Sequence, residues 1–310
     1  MKMSFYKFAK NSIRILLLSM FLILLFFFLD KEFLMDSGRR MLQNPITIFI
    51  VISIYFLSFF LKGIAWKMYL NDGVRLTSCL YGLFYSLLFN HLFPLKVGDG
   101  LRVMIMNNRE THISVEKSFH SVFVLRIMDT MSLLIIVLIG LPFFTIPFSA
   151  LNVFFIFVIT LFVGAFILKK MFPAFFTRHW QLLTSSLSGK NGFVILSLIF
   201  FSWILEGAIL FGVSGILEPA LHIGVSIWVN SVTILGQLFQ FAPGGIATYE
   251  SVMSYTLFTL GIPLEIGLSM AIFSHGIKFI FSYLIGGLVI LLSPVSLKNV
   301  KQWIKMKGRN

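Results

Sequence analysis

Charge is scarce in this chain. Only 12% of its 310 residues are Asp, Glu, Lys or Arg, against roughly a quarter in soluble domains. No polar segment is long enough to fold as a separate soluble domain, which excludes a cytoplasmic enzyme with a hydrated surface. Cysteine is almost absent: Cys79 stands alone, so an intrachain disulfide and a CxxC metal site are excluded. Acidic residues are few, 12 against 25 Lys and Arg, for a formal net charge of +13. In a soluble protein that excess would point to nucleic acid. Beside apolar runs it points to anchoring on anionic membrane lipid instead, and no nucleic-acid partner is expected. HExxH, GxSxG, Walker A and GxGxxG sequences are all missing, as is any Cys/His ligand spacing. No cofactor and no metal is expected, and no catalytic residue is assigned.

What is present is hydrophobic. The chain is 58% apolar, with 37 Phe and a mean hydropathy of +0.93. Segments long enough to cross a bilayer, about 20 apolar residues each, lie near 13–29, 45–66, 115–141, 148–168, 192–216 and 264–292. Lys2, Lys7, Lys10 and Arg14 precede the first run as in a signal peptide. Asp30-Lys31-Glu32 follows it in place of a small-residue cleavage site, so a retained first span is expected. The fold class is therefore an all-α polytopic membrane protein, about six full spans plus two broken stretches. Residues 1–310 form one integral membrane domain: 1–44 an N-terminal span and loop, 45–141 a first repeat, 148–216 middle spans, 222–293 a second broken stretch and last span, and 294–310 a basic tail.

The broken stretches, 76–108 and 222–260, carry the most information. One reads Asn90-His91-Leu92-Phe93-Pro94-Leu95-Lys96-Val97-Gly98-Asp99-Gly100-Leu101-Arg102, the other Ala242-Pro243-Gly244-Gly245-Ile246-Ala247-Thr248-Tyr249-Glu250. Proline and glycine free backbone groups that hydrocarbon cannot satisfy, so such breaks persist only against protein or a wet cavity. From Pro94 to Arg126 is 32 residues, as is Pro243 to His275; Pro94 to Asp129 and Pro243 to Lys278 are both 35. Paired interruptions in two halves point to a transporter's binding site. With both stretches re-entrant and the N-terminus inside, 20 of the 25 Lys and Arg fall on cytoplasmic segments, Lys62 among them. That satisfies the positive-inside bias. The halves would then be oppositely oriented, an inverted repeat with its breaks near the midplane and both termini cytoplasmic. A full span plus a half-helix remains the alternative for each stretch.

Charges at bilayer depth cost roughly 2.5–3.5 kcal/mol each on insertion scales, so they pair, neutralise or act. The candidates for substrate binding are Asn90, Asp99, Arg102, Arg126, Asp129, Glu206, Glu250, His275 and Lys278. Gly98-Asp99-Gly100 can turn tightly and open a short helix whose free N–H groups, with the Arg102 fork, suit a phosphate; Gly244-Gly245 would do the same ahead of Glu250. The alternative is a pair of structural bends without a ligand. Arg126 and Asp129 share a helix face, with His275 and Lys278 at the equivalent positions, and both faces are expected on one cavity. Glu206 has no base within one turn, so its partner comes from another helix, Lys278 or Arg126, or it is protonated. His91 and His120 are expected to bond locally and receive no role.

At these residues the chain resembles the lysylphosphatidylglycerol synthase transmembrane region, also called the flippase-like domain family. The matching positions are Trp66 with Leu70, Asn90…Pro94…Gly98-Asp99…Arg102, Arg126…Asp129, and Pro243-Gly244-Gly245…Glu250, over about 10 to 295. The resemblance implies a bacterial or archaeal cytoplasmic-membrane protein handling phospholipid or lipid-linked head groups. In two-domain relatives a cytoplasmic domain attaches lysine to phosphatidylglycerol, and the membrane part is associated with moving the product outward. No such domain occurs in these 310 residues, so a lipid translocase is expected rather than a synthase. In that reading Arg102 and Arg126 receive phosphate, while Asp99, Asp129, Glu206 and Glu250 balance charge and recognise any amino group. A membrane transferase, or a scaffold docking a cytoplasmic transferase, remain the rivals. Two departures stand out: His275 where an arginine is common, and Ala247 where a third glycine is common.

Overall fold

The computed structural model describes residues 31–71, 73–93, 97–144, 188–239 and 242–293, with scattered positions between 159 and 184. The span expected near 13–29, most of the one near 148–168, the tail 294–310 and Pro94 lie outside the described residues. Among those described, every regular element is helical. In chain order they are α1 (Lys31–Gln43), α2 (Pro45–Leu70), α3 (Leu76–Leu92), α4 (Gly98–Arg109), α5 (Val115–Gly140), α6 (Gly189–Glu206), α7 (Ala208–Leu217), α8 (Ile223–Gly236), α9 (Thr248–Thr259) and α10 (Leu264–Leu292).

Among the described residues four apolar runs are long enough to cross a membrane: Pro45–Leu70, Val115–Phe143, Lys190–Leu217 and Leu264–Leu292. They coincide with four of the six expected spans. At 1.5 Å per residue a 26-residue helix such as α2 reaches about 39 Å, more than the roughly 30 Å of a hydrocarbon core. Their boundaries follow local chemistry. Pro45 sits in the first turn of α2, where its missing N–H costs nothing. At the far end Asn71 takes the left-handed conformation, φ 52°, and its N–H closes on Lys67 O. Ser114 opens α5 by accepting a hydrogen bond from Lys117 N at 3.2 Å.

Each broken stretch folds as two helices packed on each other, α3 against α4 and α8 against α9. Around these pairs α2 lies along α6, α3 along α10, and α5 along α8. The packing is dense and aromatic in places: Tyr55 of α2 meets Phe281 of α10 at 4.8 Å between ring centres, with Phe59 and Phe84 alongside. Some buried serines hydrogen-bond back into their own helices, as Ser58 does to Tyr55 O at 2.7 Å and Ser202 to Ile199 O at 2.6 Å. Their small, self-satisfied side chains permit close helix approach. Outward faces are apolar: Phe49, Ile50, Leu284 and Leu291 are exposed, a surface that suits lipid rather than water.

Candidate functional site

The two breaks and the faces of four long helices border one polar cavity of about 160 Å³. Its wall includes Asn90 and His91 from the end of α3, Arg102 from α4, and Arg126 and Asp129 from α5. The other side supplies Glu206 from α6, Gly244 from the second break, and His275 and Lys278 from α10. Seven of the nine expected site residues therefore line a single space. Asp99 and Glu250, the other two, stand behind it and hold lining residues in place.

The first break shows how sequence sets this geometry. Helix α4 begins at Gly98, whose N–H donates to Asn90 Oδ1 at 2.8 Å. Asn90 thus caps a neighbouring helix, and one of the N–H groups expected to be free for a ligand is already used. A Cβ on residue 98 would land on Ser86 O and Asn90 Oδ1, so only glycine lets α4 approach α3 this closely. Gly100 lies inside the first turn, its N–H on Val97 O at 3.1 Å.

Behind this turn Asp99 takes both carboxylate oxygens to Arg126: Nη2 donates to Oδ1 at 2.5 Å and Nε to Oδ2 at 3.0 Å. Arg126 also approaches Asp129, Nη1 to Oδ2 at 3.6 Å, the same-face contact expected from their spacing. Trp203 Nε1 donates to the other Asp129 oxygen at 3.0 Å. A fork–fork pair of this kind is directional and strong, so Arg126 is already committed to carboxylates.

The second break repeats the relation with different chemistry. Gly244 and Gly245 take φ of 65° and 78°, a conformation side chains resist, and a Cβ on Gly244 would strike the Phe279 ring. The turn delivers Gly244 O to His275 Nε2 at 3.1 Å, while His275 Nδ1 meets Glu250 Oε1 at 2.7 Å. Both ring nitrogens face acceptors. That requires either an imidazolium beside a carboxylate or a neutral ring beside a protonated Glu250, and the pair is neutral as a whole in both cases. Tyr249 stacks on the His275 ring at 4.1 Å. In both halves, then, a carboxylate of the short helix grips the base 32 residues after the proline.

Glu206 finds its partner across the molecule. Lys278 Nζ donates to Oε1 at 2.8 Å and to Asn230 Oδ1 at 3.0 Å. Lys62 Nζ reaches the other Glu206 oxygen at 3.5 Å and sits 3.4 Å from the centre of the Trp203 ring. Lys62, counted with the cytoplasmic segments in the sequence, lies within α2 and lines the cavity. A count of basic residues reads lysine as a boundary, and nothing local to Lys62 signals an acidic partner 144 positions away.

Arg102 differs from every other charge in the site. It is 3% exposed, and its guanidinium carbon lies over Trp66, 4.4 Å from the ring centre. Trp66 is fixed in turn by donating Nε1–H to Ser121 Oγ at 2.8 Å. No carboxylate among the described residues pairs with Arg102, and its Nε has no hydrogen-bond partner. A cation so buried ordinarily finds an acceptor.

Asp99, Asp129, Glu206 and Glu250 were expected to balance the cations and to recognise any amino group; the oxygens of Asp99, Asp129 and Glu206 each meet a donor of the protein itself, which is the balancing part of that expectation. Glu250 keeps one oxygen unpaired, buried away from the cavity. Sequence reasoning also missed lining residues that carry polar groups without formal charge: Tyr55, Tyr249, Trp203 and Gln237. Only the position of Tyr249 beside Glu250 offered a signal. His91 bonds locally, Nδ1 to Leu87 O at 2.8 Å, as expected, yet it also lines the cavity.

No curated protein and no solved structure matches this chain. The family described as lysylphosphatidylglycerol synthase TM region matches residues 11–286, a stretch containing both breaks and every residue of the cavity. The chain belongs to that family of membrane proteins.

Proposed function

We propose that this protein is a lipid translocase, moving the head group of a phospholipid or lipid-linked compound across the cytoplasmic membrane through the polar cavity. The observation that carries the reading is Arg102: a buried guanidinium on the cavity wall with an unpaired Nε and no ion-pair partner among the described residues. A phosphate oxygen is the acceptor that best suits such a fork. At about 160 Å³ the cavity falls below the roughly 300–1,000 Å³ of pockets that enclose whole small molecules. It suits a head group whose acyl chains stay in lipid.

In this reading the broken stretches are re-entrant hairpins entering from opposite faces. The recurrence of the same pairing, Asp99 with Arg126 and Glu250 with His275, supports an inverted repeat. With no nucleotide motif in the sequence, movement is downhill or ion-coupled, and alternation of access means exchanging these buried pairs between two arrangements.

The test is leaflet-resolved. Purified protein in liposomes containing phospholipid with a fluorescent acyl chain is treated with a membrane-impermeant quencher, and the lipids are recovered for mass analysis. The expected result is quenching beyond one leaflet's share, with lipid masses unchanged and the effect lost in Arg102→Ala. Quenching confined to the outer leaflet, or a new lipid species in place of transfer, would overturn the reading.

A further inference from the structure

We infer that the Glu250–His275 contact is a proton-binding site, and that the proton it holds is the ion coupled to movement; the coupling rests on the translocation reading above and names its ion.

The two halves grip at equivalent places with different chemistry. In the first, Arg126 holds Asp99 through Nε and Nη2, and a guanidinium keeps its protons throughout the range in which proteins fold. In the second, one imidazole ring makes both contacts. Its Nδ1 meets Glu250 Oε1 of α9 at 2.7 Å, and its Nε2 meets Gly244 O of the break at 3.1 Å. Each contact needs a donor, and ring and carboxyl group supply two only while they hold two protons between them. When one leaves as H⁺, with no other bond made or broken, a neutral imidazole with a single N–H and a carboxylate remain. A ring lone pair then faces either Glu250 Oε1 or Gly244 O, and that contact turns repulsive. An added proton instead leaves a donor in both contacts. Proton loss, and not proton gain, therefore undocks α9 or the break from α10.

The other carboxyl oxygen agrees with a proton held here. Glu250 Oε2 is buried without a partner, which costs a carboxylate more than it costs the carbonyl oxygen of a protonated acid. His275 borders the cavity and Glu250 does not, so the proton exchanges through the cavity. The neighbours leave the pair to itself. Tyr249 of α9 stacks on the ring at 4.1 Å, and His91 of α3 stands 6.3 Å away between ring centres, its Nδ1 turned to Leu87 O. Lys278, one turn along α10, is bonded to Glu206 and Asn230. Across the cavity stand Tyr55, Lys62, Arg102, Arg126 and Asp129, and α7, which also packs on α10, carries no titratable group.

The first measurement needs no transport. Full-length protein in detergent undergoes hydrogen exchange across a pH series, read by mass spectrometry with α5 as internal reference. Protection factors, which remove the intrinsic rise of exchange with pH, should fall over residues 244–259 by up to about tenfold per pH unit, the slope that linkage to one proton gives. Glu250→Gln keeps a donor in both contacts through its amide, and His275→Arg supplies a guanidinium as in the first half. Both should stay flat where the unsubstituted protein falls. Flat protection in the unsubstituted protein, or the same fall in both variants, would overturn the inference. The second measurement places the fluorescent phospholipid in liposomes under a gradient of one pH unit, with the membrane potential held at zero by potassium and valinomycin. Its steady-state share between leaflets should shift by up to about tenfold for one proton per lipid, and not at all in Glu250→Gln. Lipid that moves but ends evenly shared under the gradient would overturn the coupling. Protection that falls with pH in a protein that moves no lipid would sink translocation and leave the proton site standing.

Discussion

Replacing Glu206 should harm the fold more than replacing either lysine that holds it. Glu206 lies between Lys278 at 2.8 Å and Lys62 at 3.5 Å, all within the protein interior. At an effective dielectric near 20 the gross attractions are about 6 and about 5 kcal/mol, much of it spent on removing three ions from water. Glu206→Gln keeps the shape but strands two ammonium groups, and orphaning a buried charge costs about 3–5 kcal/mol. Lys278→Met leaves Glu206 with Lys62 and removes an ion that was itself costly to bury, so its penalty should be smaller by about 1 kcal/mol or more. Lys62→Met should cost least, because that pair is longer and Lys62 retains some exposure. The assay is equilibrium unfolding in mixed micelles followed by fluorescence of the five tryptophans, where each 1.4 kcal/mol is a tenfold change in the folded ratio. The order Glu206→Gln, then Lys278→Met, then Lys62→Met is the prediction. A Lys278→Met protein as unstable as Glu206→Gln, or a Glu206→Gln protein within 1 kcal/mol of the parent, would refute a shared carboxylate.

Two further outcomes follow from particular backbone and loop features. Ala247 sits at φ 73° and ψ −44°, where a Cβ is penalised by roughly 1–2 kcal/mol, while glycine gives back about 0.5–1 kcal/mol through its looser unfolded chain. Ala247→Gly should therefore raise stability by about 1 kcal/mol, and a lower unfolding midpoint would count against the turn geometry. At the end of α4, burial alone would raise the Glu110 carboxyl. Hydrogen bonds from Ser78 and Arg75 instead hold it below its ordinary value of 4.5. A depressed folded value means its stabilisation is full above about pH 4.5 and fades as pH falls below that. Glu110→Gln should thus lower stability at pH 7, with the gap to the parent narrowing as pH falls below 4.5. A gap that persists undiminished as the pH is lowered until the carboxyl is protonated would contradict the assignment.

Much of this site could be read from the chain, and the remainder has a physical reason for being hidden. Paired breaks followed by bases at equal spacing marked Arg126, Asp129, His275 and Lys278, because burying charge is costly enough to leave few other places for it. The absence of a base near Glu206 required a distant partner, and Lys278 proved to be that partner. Which oxygen is taken by which donor is a different matter. Asp99 with Arg126, or Lys62 with Glu206, are contacts between helices that no periodicity encodes. Asn90 was placed correctly at the cavity, yet its capping of Gly98 depends on how closely α4 lies on α3. The neutral lining, Tyr249 and Gln237 among it, looks in sequence like ordinary packing.

If the protein is the translocase proposed above, Arg102 against Trp66 has a consequence for the insulation of the membrane itself. A lipid pathway that stood open and electrically neutral would leak protons and sodium and drain the gradient the cell maintains. A guanidinium held on an indole, with no ion-pair partner among the described residues, repels small cations while the cavity holds no anionic cargo. On that reading the feature that would draw in a phosphate would also keep the resting barrier tight.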